Sequence, residues 1–85
     1  MRHAREDYDD RIIDTAGIIP PDEPVFLIRA QDLCGPHAVE AWANMAEQLG
    51  ASPAMVQKAR DHAGLMRRWR HRKVPDMYED QKEKE

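Results

Sequence analysis

The stretch GPHAVEAWANMAEQLGASPAMVQKARDHAGLMRRW, residues 35–69, decides the fold. Gly35-Pro36 opens it, and a proline at the first helical position gives up only an amide that has no helical partner. Val39, Trp42, Met45, Ala46 and Leu49 follow at three- and four-residue spacing, which predicts a helix over 36–50 with one apolar face. Gly50 suits the residue after a helix end, where a left-handed backbone is common. Ser52 is an N-cap type and Pro53 a first-turn type, so a second helix is predicted over 53–72. Its apolar line is Met55/Val56, Ala59, His62/Ala63, Met66 and Trp69, close to a coiled-coil seam. Gly64 weakens that helix by about 1 kcal/mol relative to alanine and marks either a break or a close contact. Only a few residues join the helices, so an antiparallel or angled hairpin is expected.

On the N-terminal side, residues 11–33 read as an extended arm. Ile12-Ile13 and Ile18-Ile19 are short β-branched pairs, with a short strand expected at Arg11–Asp14, and Pro20, Pro21 and Pro24 exclude a regular helix. Val25-Phe26-Leu27-Ile28 is the most apolar run and reads as a buried strand, with a helical turn as its competitor. Residues 1–10 and 76–85 are charged, have no apolar face, and read as flexible ends. The expected fold class is therefore mainly α: a two-helix hairpin preceded by an arm with one or two short strands, a single small domain over 11–75.

With 85 residues, of which 41% are apolar and 34% charged, the chain is too apolar at its centre for full disorder and too charged for a membrane protein. No apolar run approaches the length of a membrane span and the first residues are not signal-like, so a cytoplasmic protein is expected. The single cysteine, Cys34, excludes an intramolecular disulfide. Charge is uneven: residues 1–36 carry four basic and eight acidic groups, 37–75 seven and three, 76–85 two and five. The net charge of -3 thus conceals a basic middle, which reopens contact with anionic partners.

That basic middle is densest at Arg67, Arg68, Arg70, His71, Arg72 and Lys73, with Trp69 inside it. Arginine binds phosphate or carboxylate bidentately and tryptophan stacks on bases, so this end of the second helix is a candidate partner or nucleic-acid contact. Cations in a last turn also simply suit the helix dipole, and helical spacing sets Trp69 beside Met66, facing a core. A second candidate is AEQLGASPAMVQKA, residues 46–59, where Ala46, Gly50 and Val56 have the spacing of a helix-turn-helix. In that reading Ser52, Gln57 and Lys58 face base edges. An ordinary hairpin with a glycine turn explains the same spacing, the second helix is long for a recognition helix, and a third helix is lacking.

Cys34 and His37 form one Cys-x2-His pair, but structural zinc needs a second close pair, so neither metal nor cofactor is expected. His62 reads as a half-buried helix residue and Cys34 as a small apolar filler. The acidic residues Asp9, Asp10, Asp14, Asp22, Glu23 and Asp32 sit in no catalytic frame, and no Walker, GxSxG or HExxH motif is present; no catalytic residue is named.

The segment Pro21-Asp22-Glu23-Pro24-Val25-Phe26-Leu27-Ile28-Arg29-Ala30-Gln31-Asp32, with the later Met66-x-x-Trp69, resembles small bacterial and prophage accessory proteins over residues 11–75. The resemblance implies an accessory or regulatory role and supplies no activity. The expectation is a small non-enzymatic interaction protein, phage-derived and acting on a host nucleoprotein complex, that binds an acidic protein surface or a nucleic-acid backbone. The alternative is a helix-turn-helix transcriptional regulator. So small a core also calls for a partner or for self-association, with a homodimer through Val25–Ile28 or the helix seam as its simplest form.

Overall fold

A computed structural model describes residues 1–77, in the order β1 (Arg2–His3), α1 (Tyr8–Arg11), β2 (Pro24–Val25), α2 (Gly35–Gln48) and α3 (Pro53–Arg67). The protein is mainly helical, and the hairpin of α2 and α3 is its largest element. Two compact units divide the described residues: Ile28–Pro75, and Met1–Leu27 together with Asp76 and Met77.

In the Ile28–Pro75 unit the helices begin as their sequence dictates. Pro36 and Pro53 lie in the first turns, and Ser52 Oγ accepts a hydrogen bond from the Met55 amide at 3.2 Å. Gly50 takes φ +87°, the left-handed backbone that turns the chain between the helices. Glu40 pairs with Arg67 and Glu47 with Arg60. Seven residues forward on α2 correspond to seven back on α3, which fixes an antiparallel register.

The helices meet along Pro36, Val39, Ala43 and Ala46 on α2 and Val56, Ala59, Ala63 and Met66 on α3. Ala43 and Ala63 are fully buried and Val56 is 2% exposed, whereas Trp42, Met45, Leu49 and Trp69 remain half or more exposed. The expected lines hold at Val39 and Ala46 on α2 and at Val56, Ala59, Ala63 and Met66 on α3, and are corrected at Trp42, Met45, Leu49 and Trp69. Alanines allow the two backbones to approach closely, and the bulky side chains turn aside. Gly64 is neither a break nor a close contact: a Cβ there would meet only Arg68 Nη1, at 3.7 Å.

Helix α3 ends at Arg67, five residues before its expected end. Arg68 and Trp69 donate back to the carbonyls of Leu65 and Met66, three residues behind each, which tightens the last turn. Beyond it, Lys73 leaves the helix to pair in parallel with Asp32: Leu33 N–H donates to Lys73 O at 2.9 Å and Lys73 N–H to Gln31 O at 2.6 Å. The Arg72 guanidinium reinforces this clasp by donating to the carbonyls of Ala30, Asp32 and Leu33.

In the other unit, β1 and β2 form a two-residue parallel pair, Arg2 opposite Pro24 and His3 opposite Val25. The expected buried strand over Val25–Ile28 is limited to Val25 by this short partner, and Phe26 is 74% exposed. Ile12 and Ile13 form no strand. Residues 1–10, read from sequence as a frayed end, hold β1 and the first three residues of α1. Of the 76–85 tail, only Asp76 and Met77 fall within the described residues. Asp14 organises the intervening loop by accepting from the Ile19 amide at 2.7 Å.

Tyr8 is buried beneath the guanidinium groups of Arg5 and Arg11, 4.5 and 5.4 Å from its ring centre. Asp7 binds both arginines, at 2.6 and 2.9 Å. The Arg5 hydrogen bonds, aided by Arg11, lower the Asp7 carboxyl from 3.8 to about 2. A folded pKa below the unfolded one stabilises this unit at pH above the unfolded value, and the contribution is lost as pH falls toward 2. A carboxyl NMR titration is expected to place the Asp7 midpoint near 2 and to find it raised in Arg5→Ala. An ordinary midpoint in the wild-type chain would contradict the pairing.

Candidate functional site

A helix advances about 100° per residue, so each helix can be read outward from its buried line. On α2, Glu40, Asn44 and Glu47 lie about a quarter turn to one side of the Ala43 line, and Trp42 and Leu49 about as far to the other, with Met45 further round toward the outer face. On α3, Arg60 and Arg67 lie in the same sense as the α2 carboxylates, and Met55, His62 and Leu65 in the opposite one, with Trp69 just past the helix end, its amide bonded back to Met66 O. In an antiparallel pair the same sense on both helices falls on the same side of the hairpin. One flank is consequently ionic: Arg60 reaches Glu47 at 3.2 Å and Asn44 at 3.1 Å, and Arg67 grips both Glu40 oxygens. Arg67 also holds the Glu40 carboxyl below its ordinary value.

The other flank is apolar and open. Its side chains run from 46% exposed at Met55 to 79% at Leu49, with Trp42, Met45, Leu65 and Trp69 between. Taking roughly 200 Å² for a large side chain, the six expose roughly 700 Å². Summed over the six, that is somewhat more than the roughly 300–600 Å² of the largest apolar patch on a typical monomer. The α2 half of this flank (Ala38, Ala41, Trp42, Met45, Gln48, Leu49) carries no charge. On the α3 half the exposed Lys58 stands in the same arc as His62 and Leu65, and Asp61 and Arg68 border it.

The basic cluster is divided by the fold. Arg67 belongs to the ionic flank, and Arg72 and Lys73 belong to the clasp. Arg68 and Arg70 are exposed and form no ion pair among the described residues, and Trp69, expected in the core, is 56% exposed between them. The helix-turn-helix candidates are placed differently. Ser52 caps α3, Gln57 donates to Asp61 at 2.8 Å, and Lys58 is exposed. Contact between the helices runs from Gly35 against Met66 to Glu47 against Arg60, along nearly all of α2. A helix-turn-helix instead sets its helices at about 90–120°.

In the Met1–Leu27 unit an open cleft of about 690 Å³ is lined by Arg2, His3, Glu6, Asp9, Val25 and Phe26 among others. His3 Nε2 lies 3.0 Å from the Ile12 carbonyl, which can only accept, so Nε2 carries the proton. His3 Nδ1 is buried with no hydrogen-bond partner among the described residues. Cys34 is exposed, His62 is exposed rather than half-buried, and no three metal-ligating side chains converge among the described residues. No helix among those residues is long and apolar enough to cross a membrane.

Sequence reasoning assigned Trp42, Met45 and Leu49 to the core and so missed the open flank. The signal was present: Glu40 and Glu47 share a seven-residue interval with Arg60 and Arg67, and the alanines at 43, 46, 59 and 63 mark a close-packed line between them. Comparison with known proteins finds no matching family model, curated protein or solved structure.

Proposed function

We propose that the chain is a small non-enzymatic interaction protein that works by binding another protein through the apolar flank of its hairpin. The open flank carries this reading: about 700 Å² of tryptophan, methionine and leucine surface lies on one side while the opposite side is closed by ion pairs. Lys58, Arg68 and Arg70 outnumber Asp61 along the α3 side of the flank and leave it net basic, which suits a partner with carboxylates around an apolar centre. A nucleic-acid reader gains less support, because Ser52 and Gln57 are engaged within α3 and the helices lie alongside one another.

The test is a pull-down from source cells in which a tagged copy is expressed beside the untagged chain, with and without nuclease. The expected result is a stoichiometric protein, another species or the untagged chain, that survives nuclease and is lost in Leu49→Glu. Recovery that vanishes with nuclease or with Arg68→Ala/Arg70→Ala while surviving Leu49→Glu reverses the reading toward nucleic acid. No recovery at all rejects it.

A further inference from the structure

Resting on that reading of the flank as a contact surface, we infer that its occupant is a second copy of this chain, which docks hairpin on hairpin to make an antiparallel four-helix bundle. Three observations carry this. The first is area. Roughly 700 Å² of apolar surface per copy approaches the ~800 Å² that each partner contributes to a stable protein interface. The second is the core. A hairpin closed on Ala43, Val56, Ala59 and Ala63 buries little apolar volume, and two such hairpins stacked on their open flanks bury the six large side chains that each leaves in water.

The third is charge, which selects the arrangement. If α3 of one copy met α3 of the other, two edges each bearing Lys58, Asp61 and Arg68, net positive, would be brought together. With α3 of one copy against α2 of its partner, each basic border lies beside an uncharged edge of Ala38, Ala41 and Gln48. A twofold axis parallel to the helices produces that pairing and makes both contacts equivalent. The same axis sets both pairs of Arg68 and Arg70 at one end of the bundle, so the dimer presents a doubled basic surface there.

The test uses the full chain. Sedimentation equilibrium is expected to give twice 9.9 kDa, with Met45→Glu weakening association roughly tenfold or more, as placing a charge among interface side chains does. Because that variant could lose its fold, the arrangement is also read by cross-linking in a Cys34→Ser background. A mixture of Met45→Cys and His62→Cys chains is expected to form a mixed disulfide between copies, and Met45→Cys alone is expected to form none. A wild-type monomer at every concentration overturns the inference. So does a dimer indifferent to Met45→Glu, or ready self-cross-linking of Met45→Cys. A monomer that still recovers a different protein through Leu49 in the pull-down leaves the interaction reading standing without the second copy. A monomer that recovers nothing removes both.

Discussion

Ala63→Leu is expected to destabilise the hairpin by about 1–3 kcal/mol, the range for forcing extra carbons into a packed core. Ala63 is fully buried about two-thirds of the way along α3, on the line with Val56, Ala59 and Met66, of which Val56 and Ala59 pack with Ala43. Leucine there adds three carbons where two backbones are held close, and no vacant direction exists for them. The helices must separate or rotate, and either movement also strains the Glu40–Arg67 and Glu47–Arg60 pairs. By hydrophobicity alone the substitution would be favourable, so its sign tests the seam. Urea unfolding followed by circular dichroism should show a lower midpoint, whereas Ala54→Leu on an exposed turn should stay within about 0.5 kcal/mol of wild type. A neutral or stabilising Ala63→Leu would mean that the helices do not meet on their alanines.

Gly35→Ala and Gly64→Ala are expected to move stability in opposite directions. At Gly35 a Cβ would stand 2.9 Å from the Arg29 carbonyl oxygen and 3.0 Å from Met66 Cε. The methionine end can swing away, but the carbonyl cannot: Arg29 O accepts from the Asp32 amide, and Asp32 O in turn accepts from Gly35 itself. A loss of about 1–3 kcal/mol is expected, with partial rescue by Met66→Ala at best because the carbonyl clash remains. At Gly64 the new methyl has ordinary space, and the helix-interior gain of alanine over glycine, about 1 kcal/mol, should be realised in full. Thermal melts of the two variants decide this. A stabilised Gly35→Ala would show that the turn before α2 is not held against its first residue.

The helices themselves were legible because their signals are local. Pro36, Ser52, Pro53 and Gly50 each act on the turn they occupy, and their positions alone set the hairpin's beginnings and its bend. The packing face was not legible in the same way. The apolar arc of α2 spans Val39, Trp42, Ala43, Met45, Ala46 and Leu49, wider than one contact line can cover, and periodicity gives equal credit to all of it. The choice within the arc depends on how closely a second helix can come, which favours the alanines, and on where the carboxylates find arginines. The end of α3 was illegible for another reason. Nothing near Arg67 stops a helix, and the chain leaves it because Lys73 pairs with a segment 40 residues earlier. The same long-range pairing, invisible to local spacing, draws the Arg72 guanidinium out of a cluster that the sequence presents as continuous.

The parallel sense of the Asp32–Lys73 pairing has a mechanical consequence. The chain enters the unit behind Asp32 and leaves it ahead of Lys73, so tension on its two ends drags these strands past each other along their length. The load falls in shear on Leu33 N–H to Lys73 O, Lys73 N–H to Gln31 O and the Arg72 fork together, rather than peeling them one at a time. An antiparallel clasp at the same place would unzip under the same pull. Force applied from outside is thus borne by the clasp before it reaches α2 and α3, and the hairpin is mechanically insulated from its own chain ends.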